Sequence, residues 1–568
     1  MFSKYKHLFM ILILIFIFSL RFFYIESDLA APWGVLNYQP IDEGVYANLA
    51  LNKINYGVLN PNLAIDPQYE YLMQPHVITN IFGNTIIYIG LKLFGDNYLG
   101  FRIGSIMIGL LSSILLYFTL CNIQKRITQK QTISRNSYLL IATTILLFSF
   151  NFVFYNASRL NEPTLYRMFC LVMVLFIFSS FKMRDSLKAF FMVFVSVSSI
   201  FLVYVTNVFI LLAFIMLLFV WFRQKKLENC KKYLFFGMLG GVCAYLISLC
   251  YYIYYWDTTP IKNLFACINS FSNTGGYTVA TSNYLTNIGA FFSSNILLYN
   301  PLLIWGMVWG FYFILDKKNK TDDLIILSLA MIIAMFLQTL FSEDYIVRKA
   351  LIILPVFVII LYYSIYSYCK QCTEIPLKIK FILNFISVIG GIFAVVYRLF
   401  FINNQTNLDF SLKDRIILIT LISSFSVILV IGQLNKKHVK LMFYSLIAII
   451  VGANSLFVLK YNWMNQTYLD KEAMIDLNDR VGEGYVLGEY INGFTLYNDL
   501  KPILHTQETL FKYMKDSQEL YYFDYSDYNT YNLDDDHLNN YVEKVAQYPR
   551  LFQTFGTCRE MALFRWEE

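Results

Sequence analysis

Residues 8–25 read LFMILILIFIFSLRFFYI, an apolar run of 18 residues broken only by Ser19 and Arg21. This length is close to the roughly 20 residues that cross a bilayer as a helix. Lys4 and Lys6 precede the run and no small-residue cleavage site follows it, so we predict a retained signal-anchor helix. Similar runs recur as far as about residue 460, after which the hydropathy drops. The sequence therefore predicts an integral membrane protein with many spans.

The composition supports this fold class. The 568 residues are 57% hydrophobic and only 15% charged, whereas soluble domains carry about 25% charged residues. The net charge of +7 does not form one basic patch, because lysine and arginine cluster in alternate loops. We therefore expect membrane lipids as surroundings and no nucleic-acid partner.

The basic loops predict the topology, since short loops rich in lysine and arginine stay cytoplasmic. These loops are residues 4–6, 124–135, 182–188, 223–232, 316–320, 370–380 and 435–440. The connections between them are poorer in basic residues and are predicted to face outward: 25–98, 156–163, 254–287, 342–349 and 403–414. The prediction is about thirteen spanning helices, with the N-terminus cytoplasmic and the C-terminal residues extracytoplasmic.

Two segments refine the count of spans. Residues 189–222 are too long for one helix across a core of about 30 Å, so a break is predicted near Thr206 and Asn207. Residues 86–95 are too short to span. Together with residues 41–57, they are predicted to form helices along the outer membrane interface, in the first outer loop.

The C-terminal residues differ in composition from the rest of the chain. We predict two domains: a catalytic membrane domain at 1–460 and a small extracytoplasmic α/β domain at 461–568. YVLGEY (485–490), FTLYN (494–498) and KPILHT (501–506) resemble short strands. DDDHLNNYVEKVAQYP (534–549) is predicted to be a helix. The predicted fold is thus an all-α polytopic membrane protein with a C-terminal α/β domain.

Two adjacent acids open the segment IDEGVYANLA (41–50) in the predicted first outer loop. Asp42 and Glu43 have two interpretations. Carboxylates at a helix start stabilise it by capping and by interaction with the macrodipole. A carboxylate at the outer boundary is also what an enzyme needs to deprotonate an acceptor hydroxyl or amine. The residue pattern leaves both open.

Cations occur in two other predicted outer connections. Arg159, Glu162 and Arg167 lie in YNASRLNEPTLYR (155–167), and Arg348 and Lys349 lie in SEDYIVRKALIILP (342–355). Isolated cations at such positions commonly extend to water. Several together also suit a phosphate leaving group, whose developing charge they would stabilise.

Three motifs carry a resemblance to a family: DEGVYA (42–47), LFGDNYLGFRIGS (93–105) and ASRLNE (157–162). The layout resembles the GT-C membrane glycosyltransferases, in the branch of protein O-mannosyltransferases and lipid A aminoarabinose transferases. The resemblance implies a polyprenyl-phosphate-sugar donor and an inverting transfer. It assigns Asp42 as general base and Glu43 as a residue that orients the acceptor or supports the site.

The resemblance, which is clear over about residues 38–170, and the cations of the outer connections together give the predicted substrate-binding residues. These are Tyr46, His76, Arg102, Arg159, Glu162, Arg348 and Lys349, of which Arg102, Arg159, Arg348 and Lys349 are expected to converge on the donor phosphate. One motif departs from the family, because QPHV (74–77) has Gln74 where a basic residue is usual and His76 where a second proline is usual. Glu162 either binds a divalent metal or pairs with Arg159. The sequence identifies no other cofactor.

The predicted function is therefore sugar transfer to a glycolipid, a cell-envelope glycan or a protein on the outer face of a bacterial plasma membrane. Two alternatives belong to other classes. A ligase or polymerase of lipid-linked oligosaccharides usually relies on one large outer loop between late spans, whereas the acidic motif here is in the first loop. A lipid-linked sugar transporter or flippase predicts mid-membrane ionisable residues and internal repeats, whereas the sequence places its ionisable groups mainly at helix ends and shows no repeat.

Overall fold

The structure is a computed structural model of the whole chain. The residues that it describes are 2–27, 39–55, 57, 80–130, 132–159, 163–256, 258–273, 300–315, 322–340, 351–397, 436–464, 468–482, 484–487, 495–497, 499–503, 521–525, 542–554 and 557–566. The α-helices are α1 (Phe2–Ser19), α2 (Gln39–Asn55), α3 (Ile81–Phe94), α4 (Tyr98–Thr128), α5 (Arg135–Ser149), α6 (Phe152–Ala157), α7 (Pro163–Ser179), α8 (Asp185–Leu202), α9 (Val208–Arg223), α10 (Leu227–Trp256), α11 (Pro260–Asn273), α12 (Leu302–Leu315), α13 (Asp323–Leu340), α14 (Leu354–Gln371), α15 (Leu377–Tyr397), α16 (Lys436–Val458) and α17 (Leu469–Val481). Short 3₁₀ helices cover Leu20–Phe22 and Val205–Asn207, and a π-helix covers Leu459–Met464.

The chain is mostly helical, and its helices are those of an integral membrane protein. Within the described residues, seven helices are long and apolar enough to cross a membrane, and four more are apolar but shorter. One shorter helix is α3, which covers the predicted non-spanning segment 86–95. The prediction of about thirteen spans also depends on residues 398–435, which lie outside the described residues.

Two helices show how the apolar surface is divided. Nearly every residue of α14 is buried, so this helix lies in the protein interior. By contrast, α10 exposes Phe235, Met238 and Val242 along one side. An exposed apolar face of this length would be unfavourable in water and is the face that a bilayer covers.

The predicted break near Thr206 and Asn207 is confirmed. Helix α8 ends at Leu202, a 3₁₀ turn covers Val205–Asn207, and α9 begins at Val208. The buried Arg167 of α7 holds this break, because its Nε donates to Asn207 Oδ1 at 2.8 Å and its guanidinium lies over the Tyr204 ring at 5.0 Å.

The basic loops that were predicted to share one side of the membrane are linked by contacts. Arg126 pairs with Asp322 at 2.8 Å, and Lys226 pairs with Asp323 at 2.9 Å. Lys6 lies over the Tyr138 ring at 5.6 Å. These contacts join the N-terminus with the loops at 124–135, 223–232 and 316–320, which is what a common side requires.

The chain divides into two compact units. The first unit is Met1–Leu20, Ile108–Ser158 and Pro163–Leu459, and the second unit is Arg21–Met107, Arg159–Glu162 and Lys460–Glu568. One edge of this division, near residue 460, coincides with the predicted domain boundary. The division also groups residues 21–107 with the C-terminal residues, so the two-domain organisation stays a prediction.

The second unit has its own hydrophobic core. It is formed by α2, α3, the start of α4, α17 and residues near the C-terminus, including Ala47, Leu91, Phe101, Leu477 and Leu563. Helices α3 and α4 approach closely at glycines, because a Cβ on Gly90 would lie 2.2 Å from the Gly100 carbonyl oxygen. Side chains larger than hydrogen would force these helices apart.

The C-terminal part of the second unit contains a mixed five-stranded sheet. Its strands are β1 (Tyr485–Leu487), β2 (Lys501–Ile503), β3 (Tyr521–Tyr525), β4 (Val542–Thr554) and β5 (Thr557–Trp566). The order is β2-β1-β3-β5-β4, with β1 parallel to β2 and β3 and with β5 antiparallel to β3 and β4. The predicted strands at 485–490 and 501–506 thus contain β1 and β2, whereas Leu496 and Tyr497 form a turn.

The helix predicted at 534–549 is wrong over its second half. Residues from Val542 onward form the edge strand β4, which pairs with β5 in a hairpin. Pro549 falls between Tyr548 and Phe552, where the register shifts. A proline lacks the N–H that a regular ladder needs, so an irregularity on an edge strand accommodates it. Pairing with residues further along the chain overrides the local helical pattern.

Candidate functional site

The predicted site residues fall into three groups. Those outside the described residues are His76, Glu162, Arg348 and Lys349, and their roles stay predictions. Asp42, Glu43 and Tyr46 lie on α2, for which the backbone is described at these positions. Arg102 and Arg159 are described in full and are fully buried.

Helix α2 places the acid pair near its beginning. The helix starts at Gln39, so Asp42 is its fourth residue and Glu43 its fifth. A side-chain N-cap comes from the residue just before the helix, so neither acid occupies the capping position. The second half of α2 enters the core of the second unit, where Thr495 Oγ1 donates a hydrogen bond to the buried Asn48 Oδ1.

Arg102 lies in the second turn of α4 and makes two kinds of contact, hydrogen bonds to backbone carbonyls and a cation–π contact. Its Nη1 donates to the carbonyl oxygens of Ile25 at 2.6 Å and Ser27 at 2.8 Å. Its guanidinium carbon lies 3.9 Å from the centre of the Tyr98 ring, a cation–π contact. Tyr98 is one helical turn earlier, so the motif LFGDNYLGFRIGS supplies both groups.

Arg159 reaches the same segment from a different part of the sequence. Its Nη2 donates to the Tyr24 carbonyl oxygen at 2.5 Å and to Ser27 Oγ at 3.3 Å. We call Tyr24–Ser27 the arginine-bound turn. Tyr24 has a φ of 53°, which is unfavourable for a residue with a side chain, and the two arginines bind the carbonyls around it. Arg102 and Arg159 therefore bind the same turn, and their role toward the donor phosphate stays a prediction.

The arginine-bound turn also contacts the C-terminal residues of the second unit. Lys471 of α17 pairs with Glu26 at 2.6 Å and lies over the Tyr497 ring at 5.0 Å. The Tyr497 hydroxyl accepts a hydrogen bond from the Tyr98 backbone N–H at 3.0 Å. Burial raises the pKa of Tyr497 to about 12, so it stays protonated at neutral pH.

Asp96 is a functional candidate that sequence reasoning missed. It lies in the turn between α3 and α4, and its pKa is raised to about 7. Burial is the largest cause and the nearby Asp499 carboxylate is the second, whereas a hydrogen bond from the Tyr497 backbone lowers the pKa. The GD pair after α3 signalled only a turn. The partner Asp499 is 403 positions later, so no local pattern indicated the carboxylate pair.

The described residues contain no group of three or more His, Cys, Asp or Glu side chains that would hold a metal ion. Glu162, the predicted metal candidate, lies outside these residues. In the part of the candidate site that the structure describes, buried guanidinium groups therefore belong to the same unit as two acids on α2.

Comparison with known proteins gives one family match and similar folds. Residues 79–251 match the family model described as dolichyl-phosphate-mannose-protein mannosyltransferase. A search of curated protein sequences finds no match. The crystal structure of ArnT from Cupriavidus metallidurans bound to undecaprenyl phosphate is similar with a TM-score of 0.60 and 11% identity, over 98% of this chain and 97% of that one. The apo crystal structure of the same protein gives a TM-score of 0.57, with the same identity and coverage.

These findings confirm the resemblance to GT-C membrane glycosyltransferases and establish an ArnT-like fold. The family match covers α3 through most of α10, including Arg102 and Arg159. Asp42 and Glu43 precede the matched residues, so the role predicted for them rests on the motif in which they lie.

Proposed function

We propose that the protein is an inverting glycosyltransferase that uses a polyprenyl-phosphate-linked sugar as donor. The acceptor is a hydroxyl or amine of a glycolipid, a cell-envelope glycan or a protein. Transfer takes place at the outer face of a bacterial plasma membrane, with the N-terminus cytoplasmic and residues 461–568 extracytoplasmic. Undecaprenyl phosphate bound to ArnT supports the choice of a lipid-phosphate donor, since this chain shares the fold.

One observation carries the proposal: two fully buried arginines meet at the arginine-bound turn, in the unit that also contains α2. A guanidinium remains charged at any physiological pH. At this turn both guanidinium groups donate to carbonyl and hydroxyl oxygens, and we propose that the same cationic groups attract the donor phosphate. The substrate-binding roles predicted from the sequence for Arg348, Lys349 and His76 remain part of the proposal.

The reaction follows from these roles. Asp42 accepts the proton of the acceptor as its oxygen or nitrogen attacks the anomeric carbon. The bond between that carbon and the phosphate oxygen breaks, and the electron pair leaves with polyprenyl phosphate. Arg102 and Arg159 stabilise the charge that develops on the phosphate. Glu43 and Tyr46 orient the acceptor.

The position of Asp42 on α2 supports a functional role over capping. As the fourth helical residue it does not precede the helix, and its interaction with the macrodipole is weaker than at the first positions. The general-base role does not depend on a capping position.

The test is transfer of radiolabelled sugar from a polyprenyl-phosphate donor to a membrane extract. Asp42→Asn should lower the rate at least about a hundredfold, the low end of what a general base contributes. Asp479→Asn is the matched control, because it makes the same change on an exposed acid of α17 in the same unit and should leave the rate within about twofold.

Other outcomes would contradict the proposal in distinguishable ways. Full activity of Asp42→Asn would show that Asp42 is not the base. Transfer of an oligosaccharide but of no single sugar would favour the ligase or polymerase. Movement of the donor across the membrane without a labelled product would favour the transporter. A parallel assay with EDTA and with Glu162→Gln tests whether a divalent metal at Glu162 is needed.

A further inference from the structure

A cavity of about 470 Å³ lies within the first unit, and its lining includes none of the residues proposed for the active site. It is formed where α4 and α14 end and where α5 and α16 begin. Half of its lining residues belong to three of the basic loops that predicted the topology: 124–135, 370–380 and 435–440. The proposed function makes no use of this cavity.

The charge of the lining has one sign. Lys130, Lys370 and Lys440 contribute ammonium groups from three separate parts of the chain. No Asp or Glu is among the described residues that line the cavity. Asp322 pairs with Arg126, and neither residue lines the cavity. Three like charges in one cavity repel each other and favour an anionic ligand.

Hydrogen-bonding groups line the same cavity. Ser134 caps α5 by accepting from the Ser137 backbone N–H at 3.2 Å, and both residues line the cavity, as does Asn136. The first turn of α5 contains no acidic residue, so the positive end of its dipole is not neutralised there. The buried Gln124 fixes this wall, because its Nε2 donates to Ser137 Oγ at 3.0 Å and its Oε1 accepts from Tyr362.

Apolar side chains complete the wall. Leu140 and Phe443 are buried and line the cavity together with Ile127 and Ile365. The cavity therefore has lysines and hydroxyl groups beside aliphatic and aromatic surface, at the ends of apolar helices. That combination matches the head group of an anionic lipid and the first carbons of its chains.

We propose that this cavity binds a phosphate group, on the side of the membrane where the basic loops lie. The phosphate comes either from an anionic phospholipid or from free phosphate in solution, and both sources have the charge that the three lysines require. Bound phosphate would also link α4, α5, α14 and α16 at their ends.

The test measures binding of dioleoyl phosphatidylglycerol, dioleoyl phosphatidylcholine and inorganic phosphate to the full-length protein in detergent by native mass spectrometry. The cavity variant combines Lys130→Gln, Lys370→Gln and Lys440→Gln. Its matched control combines Lys182→Gln, Lys225→Gln and Lys378→Gln, three exposed lysines of basic loops that do not line the cavity. A third variant, Thr132→Trp, fills the cavity from an exposed lining position without removing charge.

The cavity variant should bind phosphatidylglycerol about tenfold more weakly or worse, since each lysine near a surface contributes to attraction of anionic lipid. The control should bind within about twofold of the wild type, and Thr132→Trp should also lose binding. Phosphatidylglycerol binding that inorganic phosphate does not displace identifies the lipid as the source. Binding of inorganic phosphate alone, with the same dependence on the three lysines, identifies free phosphate. Equal binding by the cavity variant and its control, with Thr132→Trp also unchanged, would overturn the proposal.

Discussion

Raising the pH should destabilise the contact between the turn at Asp96 and the residues around Asp499. In the folded chain burial and Asp499 raise the pKa of Asp96 from 3.8 to about 7. Between these two values the folded state holds a proton that the opened state has lost, so stability falls as the pH rises. Below about pH 4 the effect is absent, and above about pH 7 it is complete.

The magnitude follows from the size of this rise. At about 1.36 kcal/mol for each pKa unit, a rise from 3.8 to about 7 corresponds to about 4 kcal/mol. About half of it, roughly 2 kcal/mol, should be lost between pH 5.5 and pH 8.5. Asp96→Asn cannot ionise, so this component should disappear in that variant.

Hydrogen exchange followed by mass spectrometry measures the effect locally, in peptides that contain residues 96–101 and 495–500. Comparing wild type and Asp96→Asn at the same pH cancels the chemical pH dependence of exchange. The ratio of the protection factor of Asp96→Asn to that of the wild type should be roughly 30-fold larger at pH 8.5 than at pH 5.5. Asp479→Asn should show no such change. The reasoning would be refuted if this ratio stayed constant or fell between pH 5.5 and pH 8.5.

Two further substitutions test the second unit. Arg102→Met removes two charge-assisted hydrogen bonds to backbone carbonyls and should lower the stability measured by thermal unfolding by about 3 kcal/mol or more. Arg102→Lys should recover only part of this loss. A loss below about 1 kcal/mol in Arg102→Met would contradict the role of these bonds. Gly90→Ala places a Cβ 2.2 Å from the Gly100 carbonyl oxygen and should lower stability by about 1 to 3 kcal/mol. Gly452→Ala has no atom within 4 Å of its Cβ and should leave stability unchanged or slightly raised. Equal effects of the two substitutions would show that α3 and α4 separate freely.

The sequence predicts what hydropathy and length control. The break between α8 and α9 was predictable because a single helix over residues 189–222 would be longer than the bilayer core is thick. The short helix α3 was predictable because residues 86–95 are too few to cross the core. The contacts of Lys6, Arg126 and Lys226 with the starts of neighbouring helices agree with the prediction that their loops share one side. Strand β4 was missed because its partner strand, not its own pattern, determines its conformation.

The candidate site was only partly predictable, for a related reason. The sequence motifs singled out Arg102 and Arg159, but most of their acceptors at the arginine-bound turn are backbone carbonyls, which have no sequence signature. Tyr497 and Lys471 were missed because their partners Tyr98 and Glu26 are about 400 or more residues away in the chain. Neither apolar periodicity nor a short motif reports a contact over such a separation.

The second unit is assembled from pieces at both ends of the chain, and this has a consequence for biosynthesis. At roughly 5 to 20 residues per second, synthesis of the residues between Met107 and Lys460 takes on the order of 20 to 70 seconds. During that interval α2, the arginine-bound turn and the start of α4 lack the partners that Thr495, Lys471 and Tyr497 provide. The nascent N-terminal segment must therefore be sheltered by the insertion machinery or a chaperone, and early termination leaves apolar surface around Ala47 and Leu91 that marks the product for proteolysis.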